Sequence, residues 1–363
     1  MEKFLLLLLF FAQPVLAEEC RNWPQWDGFS ERYIENGRVI DPSADHHTTS
    51  EGQSYALFFS LVANDRKNFD IILKWTETHL GDLVTRLPAW EWGKREDGSN
   101  GVLDENSAAD SDLWIAYTLA QAGNLWKSPE YSETAKKLSS LILEKESDEL
   151  PGIGRTLIPG ESSFHPEAGF WRLNPSYVPL QIVRGMAAIY PDSQWPDVVS
   201  SSIDLIVRSA PLGFAPDWII YREGKGFQPD SQGSYNAIRV YLWAGRLSQD
   251  DPVKKILLER FSPMVQYVEK AGTPPVQVDT RTGNAKGDGP AGFSAALVPL
   301  LFSSNAETAM EAQQLRIEAN APLARKDNYY EQALTLFGLG WMENRYRFSG
   351  EGALLPNWTC GKS

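Results

Sequence analysis

Two kinds of helical segment alternate along the chain, and that alternation constrains the fold more than any other feature. One kind is apolar and rich in small and aromatic residues: 51–63, 111–126, 176–189, 234–245, 292–302 and 329–342. The other is charged with a single apolar stripe: 69–80, 130–146, 197–209, 251–269 and 306–318. A helix apolar on all sides is buried, whereas a helix with one apolar stripe lies outside and faces inward. The sequence therefore describes an inner ring and an outer ring of helices. Six helical hairpins in succession predict an all-α, (α/α)6 barrel. The length of 363 residues exceeds the usual size of a single core, and a closed toroid accounts for the excess as one repeat-built domain over residues 18–363. Strand signals are sparse; a short hairpin within 214–228 is the one expectation.

Residues 1–17 read as an export signal, with Lys3, an apolar run from Phe4 to Ala12, and Val15-Leu16-Ala17 before a cleavage point. Export predicts a periplasmic or secreted protein. The run is too short to span a bilayer, so no membrane span is expected in the mature chain. Both cysteines, Cys20 and Cys360, then stand where oxidation is possible, and a bridge between them could staple the chain ends. The 47 acidic and 34 basic residues leave a net charge of −13, which argues against a nucleic-acid partner. Thirteen tryptophans in so acidic a chain point to an uncharged ligand.

If the inner helices all run the same way, the loops before their N-termini gather on one rim. Unusual polar residues fall at those positions: Glu51 at the first inner helix, Asp110 and Asp112 at the second, Tyr177 at the third, and Tyr235, Asn236 and Arg239 at the fourth. Trp90, Trp92 and Trp171 lie in the preceding loops, and flat aromatic faces suit sugar rings. Singly, each acid reads better as a cap or first-turn acid complementing a helix dipole than as a catalytic group. Recurrence at one structural position in several hairpins favours a common cleft. Arg239 on an apolar helix is costly to bury alone, so an acidic partner is expected. Two carboxyl groups across an aromatic pocket, with no cofactor, is the requirement of glycoside hydrolysis. His46-His47 has no obvious third ligand, and no metal is called for.

The specific pieces are Thr48-Thr49-Ser50-Glu51-Gly52-Gln53-Ser54-Tyr55, Leu87-Pro88-Ala89-Trp90 with Trp92-Gly93-Lys94, Ser107-Ala108-Ala109-Asp110-Ser111-Asp112, Arg172-Leu173-Asn174-Pro175-Ser176-Tyr177, and Ala237-Ile238-Arg239-Val240-Tyr241. On these motifs the chain resembles glycoside hydrolase family 8, and within it the cellulases that accompany bacterial cellulose synthase. The resemblance implies an (α/α)6 barrel, cleavage of β-1,4-glucan with inversion, and partnership with the cellulose synthase and export machinery. It implies that Glu51 is the general acid and that Asp110 grips the sugar at the point of cleavage. Trp92, Asp112, Tyr177, Tyr235 and Arg239 would bind substrate. The departure lies at Asn236, where the resemblance leads one to expect the aspartate that deprotonates water. An amide cannot take that proton. Three readings stay open: a base removed by substitution, a base moved to another acid such as Asp230, or a chain that binds glucan without turning it over. A helix N-terminus favours the charged form of an acid, so a proton donor at Glu51 needs a carboxylate from the 110–112 segment nearby.

Overall fold

The computed structural model describes residues 23–229, 232–320 and 329–358. The expected leader, Cys20, Cys360 and Asp230 lie outside those residues. Thirteen α-helices occur among the described residues. The first, α1 (Pro24–Tyr33), precedes five inner–outer pairs: α2 (Ser50–Val62) with α3 (Arg66–His79), α4 (Ala109–Leu125) with α5 (Pro129–Lys145), α6 (Leu180–Ile189) with α7 (Trp195–Ser209), α8 (Ala237–Gly245) with α9 (Lys254–Arg260) and α10 (Ser262–Ala271), and α11 (Ala291–Ser303) with α12 (Glu307–Ala319). The last inner helix, α13 (Tyr329–Met342), takes α1 as its outer neighbour, so the N-terminal helix supplies the twelfth position of the ring.

Inner helices contact one another in chain order, and the ring closes where Phe337 of α13 meets Tyr55, Phe58 and Phe59 of α2 at ring distances of 4.9, 5.7 and 4.5 Å. In α2 only Glu51 escapes full burial, and in α11 only Phe302 and Ser303 do, as expected of helices surrounded by others. Aromatic rings from four inner helices fill the axis: Trp114 lies 4.9 Å from Phe58, 5.6 Å from Trp243 and 5.4 Å from Phe337. Close approach of the inner helices needs glycine. A β-carbon on Gly338 would fall 2.0 Å from the Ala295 carbonyl oxygen, and one on Gly245 would fall 2.3 Å from the Leu300 nitrogen.

The (α/α)6 barrel is thus the fold. Departures from the expected segments trace to proline. The third inner helix begins at Leu180 rather than 176, because Pro175 and Pro179 confine 175–177 to one 3₁₀ turn. The outer segment 251–269 divides at Phe261, one residue before Ser262-Pro263 opens a new helix. The hairpin foreseen within 214–228 is present as Ile219–Arg222 paired with Gly226–Pro229. Five further small sheets occur among the described residues, none wider than three strands, and they build the loops around the ring. Strands of two to five residues are too short to show alternation in a sequence.

Candidate active site

The loop geometry that presents Glu51 is set before its helix starts. Strand Thr48–Thr49 pairs with strand Glu91–Lys94, and the Ser50 N–H donates to the Trp90 carbonyl at 2.9 Å. The Thr49 hydroxyl then accepts from the Gly52 N–H at 3.1 Å, which makes Thr49 the cap and leaves the Glu51 side chain for other work. That work is an ion pair with Arg239, 188 residues away.

Arg239 organises the rim. Its Nη1 donates to a Glu51 carboxylate oxygen, to Asp110 Oδ2 at 3.1 Å and to the Tyr55 hydroxyl at 2.9 Å; its Nη2 donates to Asn236 Oδ1 at 2.7 Å. Asn236 Oδ1 also accepts from Asn174 Nδ2 at 3.2 Å, and the Tyr177 ring lies 5.6 Å from the guanidinium. The acidic partner expected for Arg239 is therefore two acids, and Asp110 and Glu51 stand beside each other through one guanidinium nitrogen. Their exposure differs: the Glu51 side chain is 27% accessible, whereas Asp110 is 4% and Arg239 3%. Burial raises the Asp110 carboxyl from its usual range, Arg239 opposes the shift, and the Glu51 charge reinforces it. Asp110 therefore holds its proton more readily than a free carboxyl does. Burial, reinforced by Asp110 and Glu51 and opposed by Arg239, raises the Tyr177 hydroxyl well above its ordinary value.

Around this cluster the half-buried or exposed aromatics are Trp90, Tyr177, Trp218, Tyr235 and Tyr330. Tyr235 is 51% exposed, packs edge-to-face on Phe293 at 5.0 Å, and accepts at its carbonyl from the Tyr330 hydroxyl at 2.7 Å. Trp218 lies 6.0 Å from Tyr177, stacks on Phe164 at 5.9 Å and carries the Arg172 guanidinium 4.1 Å from its ring. Neither Trp218 nor its neighbour Asp217 was singled out in the sequence, where the 214–228 stretch offered only a hairpin signal. These rings set flat apolar faces beside the charged cluster.

The sequence profile of the glycosyl hydrolases family 8 matches residues 4–344. The chain belongs to family 8 of the glycosyl hydrolases. It is similar to the endoglucanase of Escherichia coli O157:H7, with 44% identity over 98% of this chain and 96% of that protein. It is likewise similar to the endoglucanase of Xanthomonas axonopodis pv. citri, with 44% identity over 97% of this chain and 93% of the relative. Among solved structures, the endo-1,4-D-glucanase from Vibrio fischeri ES114 superposes with a TM-score of 0.90 at 46% identity, covering 93% of this chain and 99% of the other.

Within this family 8 chain, three residues read from the sequence as sugar contacts sit elsewhere. Trp92 is 9% exposed, held between the Arg38 guanidinium at 4.3 Å and the Trp75 ring at 5.3 Å. A register shift between Glu91 and Trp92 turns it into the wall while Trp90 stays at the rim. Trp171 is buried against His165 at 4.5 Å and donates its Nε1–H to Asp148 at 2.7 Å. Asp112 is fully buried against Glu146, itself fully buried, so it offers nothing to a bound chain as the structure stands. Of the histidine pair, His47 is bonded through Nδ1 to Glu91 at 2.8 Å.

The Asp112–Glu146 pair has a measurable consequence. Burial raises both carboxyls, Glu146 raises Asp112 further, and the hydrogen bond from Asp112 opposes part of the rise of Glu146, so the pair keeps a proton in the folded state that the unfolded chain releases. Acids whose folded values are raised contribute stability that is full below their unfolded values, near 4, and is lost as pH rises through the folded ones. Glu146→Gln is expected to fold and to flatten the fall in melting temperature between pH 5 and pH 8, gaining about 2 °C on the parent at pH 8. Parallel melting curves for parent and variant across that range would show that the pair does not titrate.

Proposed function

We propose that the chain is an endo-β-1,4-glucanase that cleaves β-1,4-glucan with inversion. The observation that carries this reading is the Arg239 clamp, which gathers Glu51, Asp110 and Asn236 from the N-terminal ends of three inner helices beside partly exposed aromatic rings. The endo-1,4-D-glucanase and endoglucanase names of the similar proteins support the substrate class. In this reading Glu51, the accessible member of the acid pair, protonates the glycosidic oxygen. Asp110 and Tyr177 hold the sugar at the point of cleavage, Tyr235 and Arg239 support the chain's path, and no metal or cofactor takes part. An inverting route needs a second group that activates water on the opposite face of the ring. Asn236 occupies that place, and its amide cannot accept the proton, so turnover as the chain stands is slow. Export through residues 1–17 would deliver the enzyme to the periplasm, where it would act on glucan made by the cellulose synthase and export machinery.

A second reading, a glucan-binding accessory without useful turnover, rests on the same amide, whose oxygen is held by Arg239 and Asn174 as a binding group would be. Cellohexaose titration together with reducing-end release from carboxymethyl-cellulose separates the two. The first reading expects binding and slow release, with Glu51→Gln lowering release by a further factor of about 10² while binding persists. Binding with no release, from the chain and from Asn236→Asp alike, leaves the accessory. Absence of both binding and release removes the glucan assignment altogether.

A further inference from the structure

Resting on that glucanase reading, we propose that Asp217 is a positioning residue that fixes the turn carrying Asn236 and Arg239. Helix α8 starts at Ala237, and the first N–H groups of a helix need acceptors from outside it. The residue in the capping position, Asn236, makes no capping hydrogen bond, because its side chain is spent on Arg239 and Asn174. Asp217, 19 residues upstream, does the capping instead. Its Oδ1 accepts from the N–H groups of Ser234 at 2.8 Å, Asn236 at 3.0 Å and Ala237 at 2.8 Å.

The same residue is tied back to that turn. The Asp217 N–H donates to the Gln232 carbonyl at 2.8 Å, and Gln232 Nε2 reaches Asp217 Oδ2 at 3.4 Å. A β-carbon on Gly233 would fall 2.1 Å from the Ala215 carbonyl oxygen, so the two segments lie in backbone contact. Ser234 is anchored further by its hydroxyl donating to Val276 O at 2.7 Å. Asp217 directly precedes Trp218, which borders Tyr177. One carboxylate, 7% exposed, therefore joins an aromatic side of the cleft to the turn that presents Asn236 and Arg239. Three N–H donors on a single oxygen define the direction of that turn more tightly than one capping bond could. Reacting groups lose rate steeply when misplaced by about 1 Å.

The test uses Asp217→Ala and Asp217→Asn in the full chain and in its Asn236→Asp form. Hydrogen exchange over residues 232–240, cellohexaose affinity, kcat and KM on carboxymethyl-cellulose, and the pH profile are followed for each. In the Asn236→Asp background, Asp217→Ala is expected to lower kcat by about 10² with KM within about threefold, and to speed exchange in that segment. Asp217→Asn, which keeps an oxygen acceptor, should recover kcat to within about tenfold of the parent. Because it removes a negative charge beside position 236, it should also move the acidic limb of the profile to lower pH by about half a unit. A kcat unchanged in Asp217→Ala overturns the proposal. So does a loss of kcat that tracks melting temperature and is not recovered by asparagine. Should the alanine variant fail to fold, recovery, exchange and pH profile of the asparagine variant decide alone. If the Asn236→Asp form hydrolyses no glucan, the functional reading fails by itself, while exchange in 232–240 still judges the positioning role.

Discussion

The Asn236→Asp variant is expected to hydrolyse soluble β-1,4-glucan about 10²–10⁴ faster than the chain as it stands, with KM nearly unchanged. The substitution is isosteric, and the receiving geometry is already built. Arg239 Nη2 at 2.7 Å and Asn174 Nδ2 at 3.2 Å both donate to Oδ1, and a carboxylate oxygen accepts the same two bonds without moving. The other side-chain atom changes from an amide nitrogen, which only donates, to an oxygen that takes a proton from water. Ground-state binding of the sugar would change little, because the groups expected to touch it stay in place. The whole gain would appear in kcat, as for an interaction made only in the transition state. Reducing-end release gives the rate, and the anomeric configuration of the first product, followed by NMR, identifies the route. A parent chain as fast as the variant would remove position 236 from the role of base and move the search to another carboxylate.

Replacing Arg239 with methionine is expected to destabilise the fold by about 3–5 kcal/mol and to abolish hydrolysis even in the Asn236→Asp background. The guanidinium is 3% accessible and bonded to four residues from three inner helices. Removing it leaves the Glu51 and Asp110 carboxylates without the cation between them. The sign with pH follows from Asp110. Burial already raises it and Arg239 is the influence that lowers it, so without Arg239 it rises further. The destabilisation should then be smaller at pH 5, where Asp110 holds its proton more readily, and larger at pH 8. Thermal melting at those two values checks it; an equal loss at both would mean that Arg239 acts by packing rather than by charge. Arg239→Lys should recover little, since a point charge on a flexible stem does not span two carboxylates, a phenol and an amide.

The barrel was legible because its rule is local. Burial on all sides or on one side is written into each helix by the spacing of its apolar residues, and the order of hairpins follows from the order of segments. Convergence of Glu51, Asp110 and Arg239 followed from the same rule, since parallel inner helices must bring their N-termini together. The twelfth position of the ring was harder to read. Helix α1 is short, and it pairs with a helix at the other end of the chain. The tryptophans were ambiguous because the barrel axis and a sugar cleft ask for the same residue; Trp114 and Trp243 fill the axis, whereas Trp90 and Trp218 stand at the rim. Asp217 was invisible because a long-range cap leaves no local pattern.

By itself the sequence determined the number of hairpins, which helices are inner, the rim on which the acids collect, and the amide at position 236. Only the tertiary structure decided which acids meet. Asp110 and Asp112 are two residues apart with the same chemistry, yet positions i and i+2 of a helix point to opposite sides. One therefore reaches Arg239 and Glu51, while the other turns into the protein against Glu146. Which side of α4 faces the cleft depends on how the whole ring packs around it, and no spacing along the chain records that angle.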